Sequence, residues 1–220
     1  MSKGKLFQRT ALYVGIFLFP FFILLLNAKI LMNEESFYNH QYTINGAYER
    51  FGKETAMNET QRILNFYQKG TPIQSEFFNE KEMAHLSDVR TLYQKANMVF
   101  YGILLIAALA FIFLDKQGKG KMLLYGALLT LGIIAIVYLL AIIDFSSSFT
   151  LFHELVFSNN NWMLDPAADN LIVLSPESFF IAFVMTNIKR TAILAFVLLL
   201  VGYSLIKIKR TKISPQDSKL

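Results

Sequence analysis

The sequence predicts an all-α membrane protein: four transmembrane helices with a small extracellular cap formed by the two segments between them that face outward. Three observations carry that expectation. Of 220 residues, 54% are apolar and 15% aromatic, while 17% are still charged, a mixture too greasy for a soluble domain yet with water-facing sequence left over. Four apolar runs, residues 11–31, 96–114, 122–143 and 188–206, each come near the roughly 20 residues a helix needs to cross about 30 Å of hydrocarbon. Lysine and arginine, finally, concentrate beside alternate ends of those runs.

The charge pattern sets the expected topology. Three cations (Lys3, Lys5, Arg9) precede the first run, three (Lys116, Lys119, Lys121) fill the turn after the second, and five follow the fourth. By the positive-inside rule residues 1–10, 115–121 and 207–220 are cytoplasmic. Residues 32–95 and 144–187, where Glu34, Glu35, Glu76, Glu80, Glu82 and Asp88 lie, are then outside and form the cap. The net charge of +5 is spent on topology, which makes a nucleic-acid partner a poor expectation. The first run is longer than a signal-peptide core and lacks a small-residue cleavage site, so it reads as a retained anchor.

Within the first outer segment, residues 53–69 predict a helix ending at Gly70 ahead of Pro72. Asn79 with Glu82 three residues on has capping-box spacing, and nothing after it breaks the helix before the second run. His85, Asp88 and Arg90 therefore ride on an extension of that run, His85 roughly 17 Å along the axis from Ala96 at about 1.5 Å per residue. The second outer segment opens on Phe149, Phe152, Val156 and Phe157, an apolar stripe at helical spacing, with His153 embedded in it. Residues 158–176, rich in Asn, Asp and Pro, predict loop.

The absence of cysteine excludes thiol nucleophiles and cysteine-ligated metals. Ser146, Ser147 and Ser148 lack a Gly-x-Ser-x-Gly turn and read as a helix start. His85 and His153 come from separate segments, each close in sequence to a membrane helix, so both can converge near the bilayer. An imidazole accepts a proton near pH 7 and stabilises an oxyanion; isolated histidines are nonetheless more often structural. Asp88, one turn after His85, is placed to raise the basicity of that ring. Two histidines with Asp88 or Glu154 make a thin metal-ligand set, so no metal and no cofactor is expected. Asn159, Asn160, Asn161 and Trp162 form a polar-aromatic cluster that suits either a turn with an interfacial anchor or the positioning of a headgroup. Arg190 has snorkelling and phosphate pairing open to it. From these residues alone, a partner-binding membrane receptor or assembly subunit competes with an enzyme.

Two motifs point toward the enzyme: Glu82-Met83-Ala84-His85-Leu86-x-Asp88-Val89-Arg90, and Phe152-His153-x-x-x-Phe157-x-Asn159-Asn160-Asn161-Trp162-x-Leu164-Asp165-Pro166. Together with the helix number and the Asn170 to Glu177 stretch, they make the chain similar to the lipoprotein intramolecular transacylases, integral membrane proteins of Gram-positive bacteria. The resemblance implies a plasma-membrane enzyme with an outer cap, an aromatic-rich pocket and two catalytic histidines at the cap-membrane interface, by motif His85 and His153. Asp88, Arg90, Asn159, Asn160, Asn161, Trp162, Asp165 and Arg190 are then expected to support or position substrate. It also implies the substrate, a diacylglyceryl lipoprotein with a free N-terminal cysteine amine, whose sn-2 acyl chain moves to that amine to give the lyso form. Since nucleophile and ester share one molecule, such a reaction needs folding of the headgroup and proton management, with no enzyme nucleophile. His85 is expected to be the base and His153 the oxyanion partner, with transfer weakening as pH falls through the histidine range near 6.5.

Overall fold

The computed structural model describes residues 3–207; residues 208–220, most of the expected cytoplasmic tail, lie outside the described residues. Nine helices cover most of this span: α1 (Lys3–Met32), α2 (Glu35–Ile44), α3 (Ala47–Phe51), α4 (Lys53–Lys69), α5 (Glu80–Phe113), α6 (Lys116–Ile143), α7 (Phe145–Val156), α8 (Asn170–Leu174) and α9 (Glu177–Lys207). Four of them, α1, α5, α6 and α9, are long and apolar enough to cross a membrane. A helix satisfies every backbone group internally, which is why such runs adopt it in hydrocarbon. The chain divides into two compact units, residues 1–27, 100–137 and 188–220 in one, 28–99 and 138–187 in the other.

The first unit is built from the apolar stretches of the four long helices. Phe19, Ile23, Leu114, Met122, Ala127 and Ala195 are buried together, whereas Phe17, Ile112, Ile136 and Phe196 are more than half exposed. That outward apolar surface is what lipid solvates. Small residues set the helix contacts: a Cβ added at Gly202 of α9 would come 2.6 Å from the Leu124 nitrogen and 2.8 Å from the Gly120 carbonyl of α6, so only glycine permits this approach. Asn27 of α1 donates to the Thr191 hydroxyl of α9, 3.1 Å, both buried. Pro20 sits inside α1 without ending it.

The second unit has an aromatic core. Leu31, Phe37, Tyr38, Tyr42, Ile63, Phe78, Leu86, Leu174 and Phe179 are buried in one cluster; Phe37 meets Phe179 edge-on with centroids 5.3 Å apart, the geometry ring quadrupoles favour. The Tyr42 hydroxyl is satisfied by Thr60, 2.7 Å. Helix α4 stops where Gly70 takes φ +75° and its N–H bonds the Phe66 carbonyl, a left-handed C-terminal stop that glycine adopts without cost. The Asn79–Glu82 pair forms a reciprocal capping box on α5: the Asn79 N–H donates to Glu82 Oε2, 2.7 Å, and the Glu82 N–H to Asn79 Oδ1, 3.0 Å. Residues 158–176 are not wholly loop as expected. They contain the single turn of helix α8, which forms where the Asn170 amide donates to the Phe77 carbonyl, 2.7 Å, and the Leu171 N–H to Glu82 Oε1.

Candidate active site

Both candidate histidines lie in the second unit, and the fold brings them together. His85 comes from the part of α5 that precedes its apolar run, His153 from the last turn of α7; both are buried, 9% and 7% exposed, with ring centroids 6.1 Å apart. Helical spacing explains the walls. Phe149 and Phe157 stand one turn either side of His153, at centroid distances of 4.1 Å and 5.6 Å from its ring. Phe157 also presents its edge to His85 at 5.3 Å, and the Trp162 indole lies 4.9 Å from His153. Two imidazoles thus face one another within a shell of aromatic carbon.

The hydrogen bonds distinguish the two rings. His153 Nδ1 lies 2.7 Å from the Phe149 carbonyl. A carbonyl only accepts, so this nitrogen carries the proton and the neutral ring is left with its lone pair on Nε2, the form in which a histidine takes a proton. His85 Nδ1 is buried with no hydrogen-bond partner among the described residues, an orphaned polar atom of the kind functional sites retain.

Electrostatics push both rings toward the neutral form. The His85 pKa is lowered from the ordinary 6.5 to about 4, chiefly by burial, then by His153, with Asp88 opposing. The pKa of His153 is also lowered, by burial against the opposing bond to Phe149. Asp88 does raise the basicity of His85, as its spacing suggests, but burial outweighs it. The Asp88 carboxylate is held by the Asn159 amide, 2.9 Å, and its pull on His85 is smaller than the desolvation of a buried imidazolium.

The remaining expected residues divide. Asn159 bridges α5 to the loop after α7, and its side-chain oxygen accepts from the Asn161 N–H, 2.9 Å, so these two shape the loop that carries Trp162. Asn160 is exposed, its carbonyl accepting from Met163. The Asp165 carboxylate accepts from the Ala167 N–H, 2.9 Å, and so closes its own turn. Arg90 stacks on Phe66, 4.9 Å from its guanidinium carbon to the ring centroid, against Gly70; five residues on from His85 it occupies a different face of α5. Arg190 belongs to the first unit.

The pattern-based reading missed the residues that anchor this site. Glu82 is 1% and Asp169 5% exposed. The Asn79 amide donates to Asp169 Oδ1 and the Asp165 N–H to Asp169 Oδ2, both 2.7 Å. Since Glu82 also holds Leu171, the start of α5 is tied to the loop that follows Trp162. The capping box was visible in the sequence; a partner of Asn79 lying 90 residues away was not.

A family model described as lipoprotein intramolecular transacylase Lit matches residues 13–180. Among solved structures, the membrane-integral lipoprotein intramolecular transacylase Lit from Bacillus cereus superposes with a TM-score of 0.84 at 23% identity, covering 93% of this chain and 98% of that one. Two variants of it, with histidine replaced by arginine or by alanine, give TM-scores of 0.80 and 0.79 at 23% and 24% identity, covering 94% and 93% of this chain and 95% and 96% of theirs. At these identities the structures speak to the fold alone. A comparison with curated proteins gives no match.

Proposed function

The chain belongs to the lipoprotein intramolecular transacylase family, and from that premise we propose that it moves the sn-2 acyl chain of a diacylglyceryl lipoprotein to the free amine of the N-terminal cysteine, with His85 and His153 managing the protons. The observation that carries this reading is the pair of buried imidazoles brought together in an aromatic pocket. Attack of the amine on the ester carbonyl closes an eight-membered ring through N, Cα, Cβ, S, two glycerol carbons, the ester oxygen and the acyl carbon. The new N–C bond forms, the C–O bond breaks, and one proton passes from nitrogen to the glycerol oxygen. His153 takes that proton on Nε2, the nitrogen left free by the bond to Phe149. His85, neutral because buried, donates a ring N–H to the oxyanion. This reverses the roles expected from Asp88. Phe149, Phe157 and Trp162 exclude water and offer the acyl chain an apolar wall.

Tandem mass spectrometry of a lipoprotein coexpressed with this chain tests the reading. The intact mass should stay constant while one acyl chain appears on the N-terminal amine and is lost from glycerol. A free amine on every molecule would reject the function, and a gain of one acyl chain in intact mass would reject the intramolecular route.

For topology we propose residues 1–10, 115–121 and 207–220 as cytoplasmic, with the spans near residues 11–31, 96–114, 122–143 and 188–206 and the histidines outside, on the strength of the lysine and arginine pattern. The chain has no cysteine, so a single Lys116→Cys reports cleanly. It should resist an impermeant thiol reagent in intact cells, and labelling there would overturn the orientation.

A further inference from the structure

The loop that walls the two histidines also holds a third group. Running on from α7, it presents Phe157 to His85 with centroids 5.3 Å apart, bonds Asp88 through the Asn159 amide at 2.9 Å and sets the Trp162 indole 4.9 Å from His153. Asp88 stands one turn after His85 on α5, so the two share a face, and its charge acts on the His85 ring. The carboxylate therefore lies beside the imidazole pair, within the same unit.

Among the described residues that charge meets no cation. The Asn159 amide is a neutral donor and engages Oδ2; Oδ1 accepts no hydrogen bond among the described residues and is open to solvent. The cations nearest in sequence are placed elsewhere, Lys81 at 4.0 Å from Asp169 and Arg90 over Phe66. Neighbouring acids differ from Asp88 in having backbone N–H groups to satisfy: Glu82 holds Asn79 and Leu171, Asp169 holds Asp165, and Asp165 holds Ala167. A half-buried carboxylate with one oxygen left over, beside aromatic rings whose faces also attract positive charge, is a seat for a cation.

We propose that Asp88 Oδ1 receives the primary ammonium of the substrate's N-terminal residue and so selects substrates whose amine is free. The proposal rests on the transfer reaction described above, in which that amine is consumed. A terminal amine, with an ordinary pKa of roughly 7.7 to 8.0, is mostly charged near pH 7. Once docked it gives up one proton to solvent, and the attack on the ester follows as written. Transfer then converts the ammonium into a neutral amide, so the product loses the attraction that held the substrate.

Titration of the detergent-purified full chain near pH 7 provides the test, with Trp162, its single tryptophan, as the reporter. The probes are two dialkylglyceryl-cysteine peptides whose ether-linked chains cannot transfer, one with a free amine and one N-acetylated. Wild type should bind the free-amine probe about 10-fold more tightly, the lower end of what an opposite charge within about 4–6 Å contributes. Asp88→Asn keeps an oxygen for the Asn159 amide and should bind the two probes alike. Glu154→Gln, which removes an exposed acid next to His153, should discriminate as wild type does. Phosphatidylethanolamine also carries a primary ammonium, but its phosphate would bring a second negative charge toward Asp88, so an excess should leave the free-amine probe bound. Equal binding of both probes by wild type, equal weakening of both in Asp88→Asn as a purely structural role would give, or displacement by phosphatidylethanolamine would each overturn the proposal. If Asp88→Asn fails to accumulate, Asp88→Ser takes its place under the same criteria. Because the probes bind without reacting, the outcome is independent of the transfer assay. A wild type that converts lipoprotein yet binds both probes alike rejects the subsite and leaves the function standing; one that prefers the free amine but converts nothing keeps the subsite and rejects the function.

Discussion

His85→Ala and His153→Ala are each expected to cut conversion of a diacylglyceryl lipoprotein by about 10² to 10⁴-fold, the usual contribution of a positioned acid or base, while the proteins still accumulate in the membrane. The argument rests on what each ring can do where it stands. An amine attacking an ester loses a proton as the bond forms, and His153 Nε2 is the lone pair that its bond to Phe149 leaves available. The tetrahedral oxyanion needs a donor in a site from which aromatic side chains exclude water, and His85 is the second polar group within reach. Both rings are buried, so an alanine also leaves a cavity and costs stability. His153→Asn separates the two effects. Its amide keeps a donor for the Phe149 carbonyl but supplies no base, so it should accumulate like wild type and still fail to convert substrate. His40, exposed on α2, is the control, and His40→Ala should match wild type. Tandem mass spectra scored for amine-linked acyl chain read all four variants; wild-type rates in both alanine variants at normal abundance would end the two-histidine mechanism.

How much of this was legible in the sequence depended on how local each signal is. The four long helices follow from long, predominantly apolar runs, and the end of α4 from Gly70, a residue whose φ of +75° few others tolerate. The capping box was legible because both halves lie within one turn. Helices α2 and α3 were not: they are short, polar on their outer faces, and stabilised by burying Phe37, Tyr38, Tyr42 and Ala47 against elements far along the chain. The site divides in the same way. Motifs named His85 and His153, but spacing alone says nothing of a 6.1 Å approach between residues on different helices. Asp88 was read as a partner of His85 because it is near in sequence; its hydrogen bond goes instead to Asn159, a contact visible only once α5 and the loop after α7 are folded. Glu82 was read only as half of a capping box, and Asp169 was passed over, for a related reason. An acid that is almost fully buried is recognised by its partners, and a sequence does not display those.

The pH profile supplies the second large effect, and here the structure moves the expectation from sequence. A histidine near its ordinary pKa would impose a loss of activity around pH 6.5, but burial lowers His85 to about 4 and lowers His153 as well. His85 is then already neutral across the working range, and His153 is displaced toward its neutral form. The group that titrates is the substrate's own amine, with an ordinary pKa of roughly 7.7 to 8.0, which must be neutral to attack. Since kcat/KM reports the free enzyme and free substrate, its logarithm should fall with unit slope below about pH 8, a loss of about 100-fold by pH 6, with no steepening at 6.5. Stability shifts in the same direction at lower pH. Between 6.5 and about 4 an unfolded chain binds a proton at residue 85 that the folded one refuses, so stability declines as the pH falls through that window. Helical circular dichroism recorded beside each rate separates the two effects. A second break in the rate profile at or above pH 6.5, with the helical signal unchanged, would mean that one of the two rings titrates near its ordinary value and that the buried, neutral pair is not the form that works.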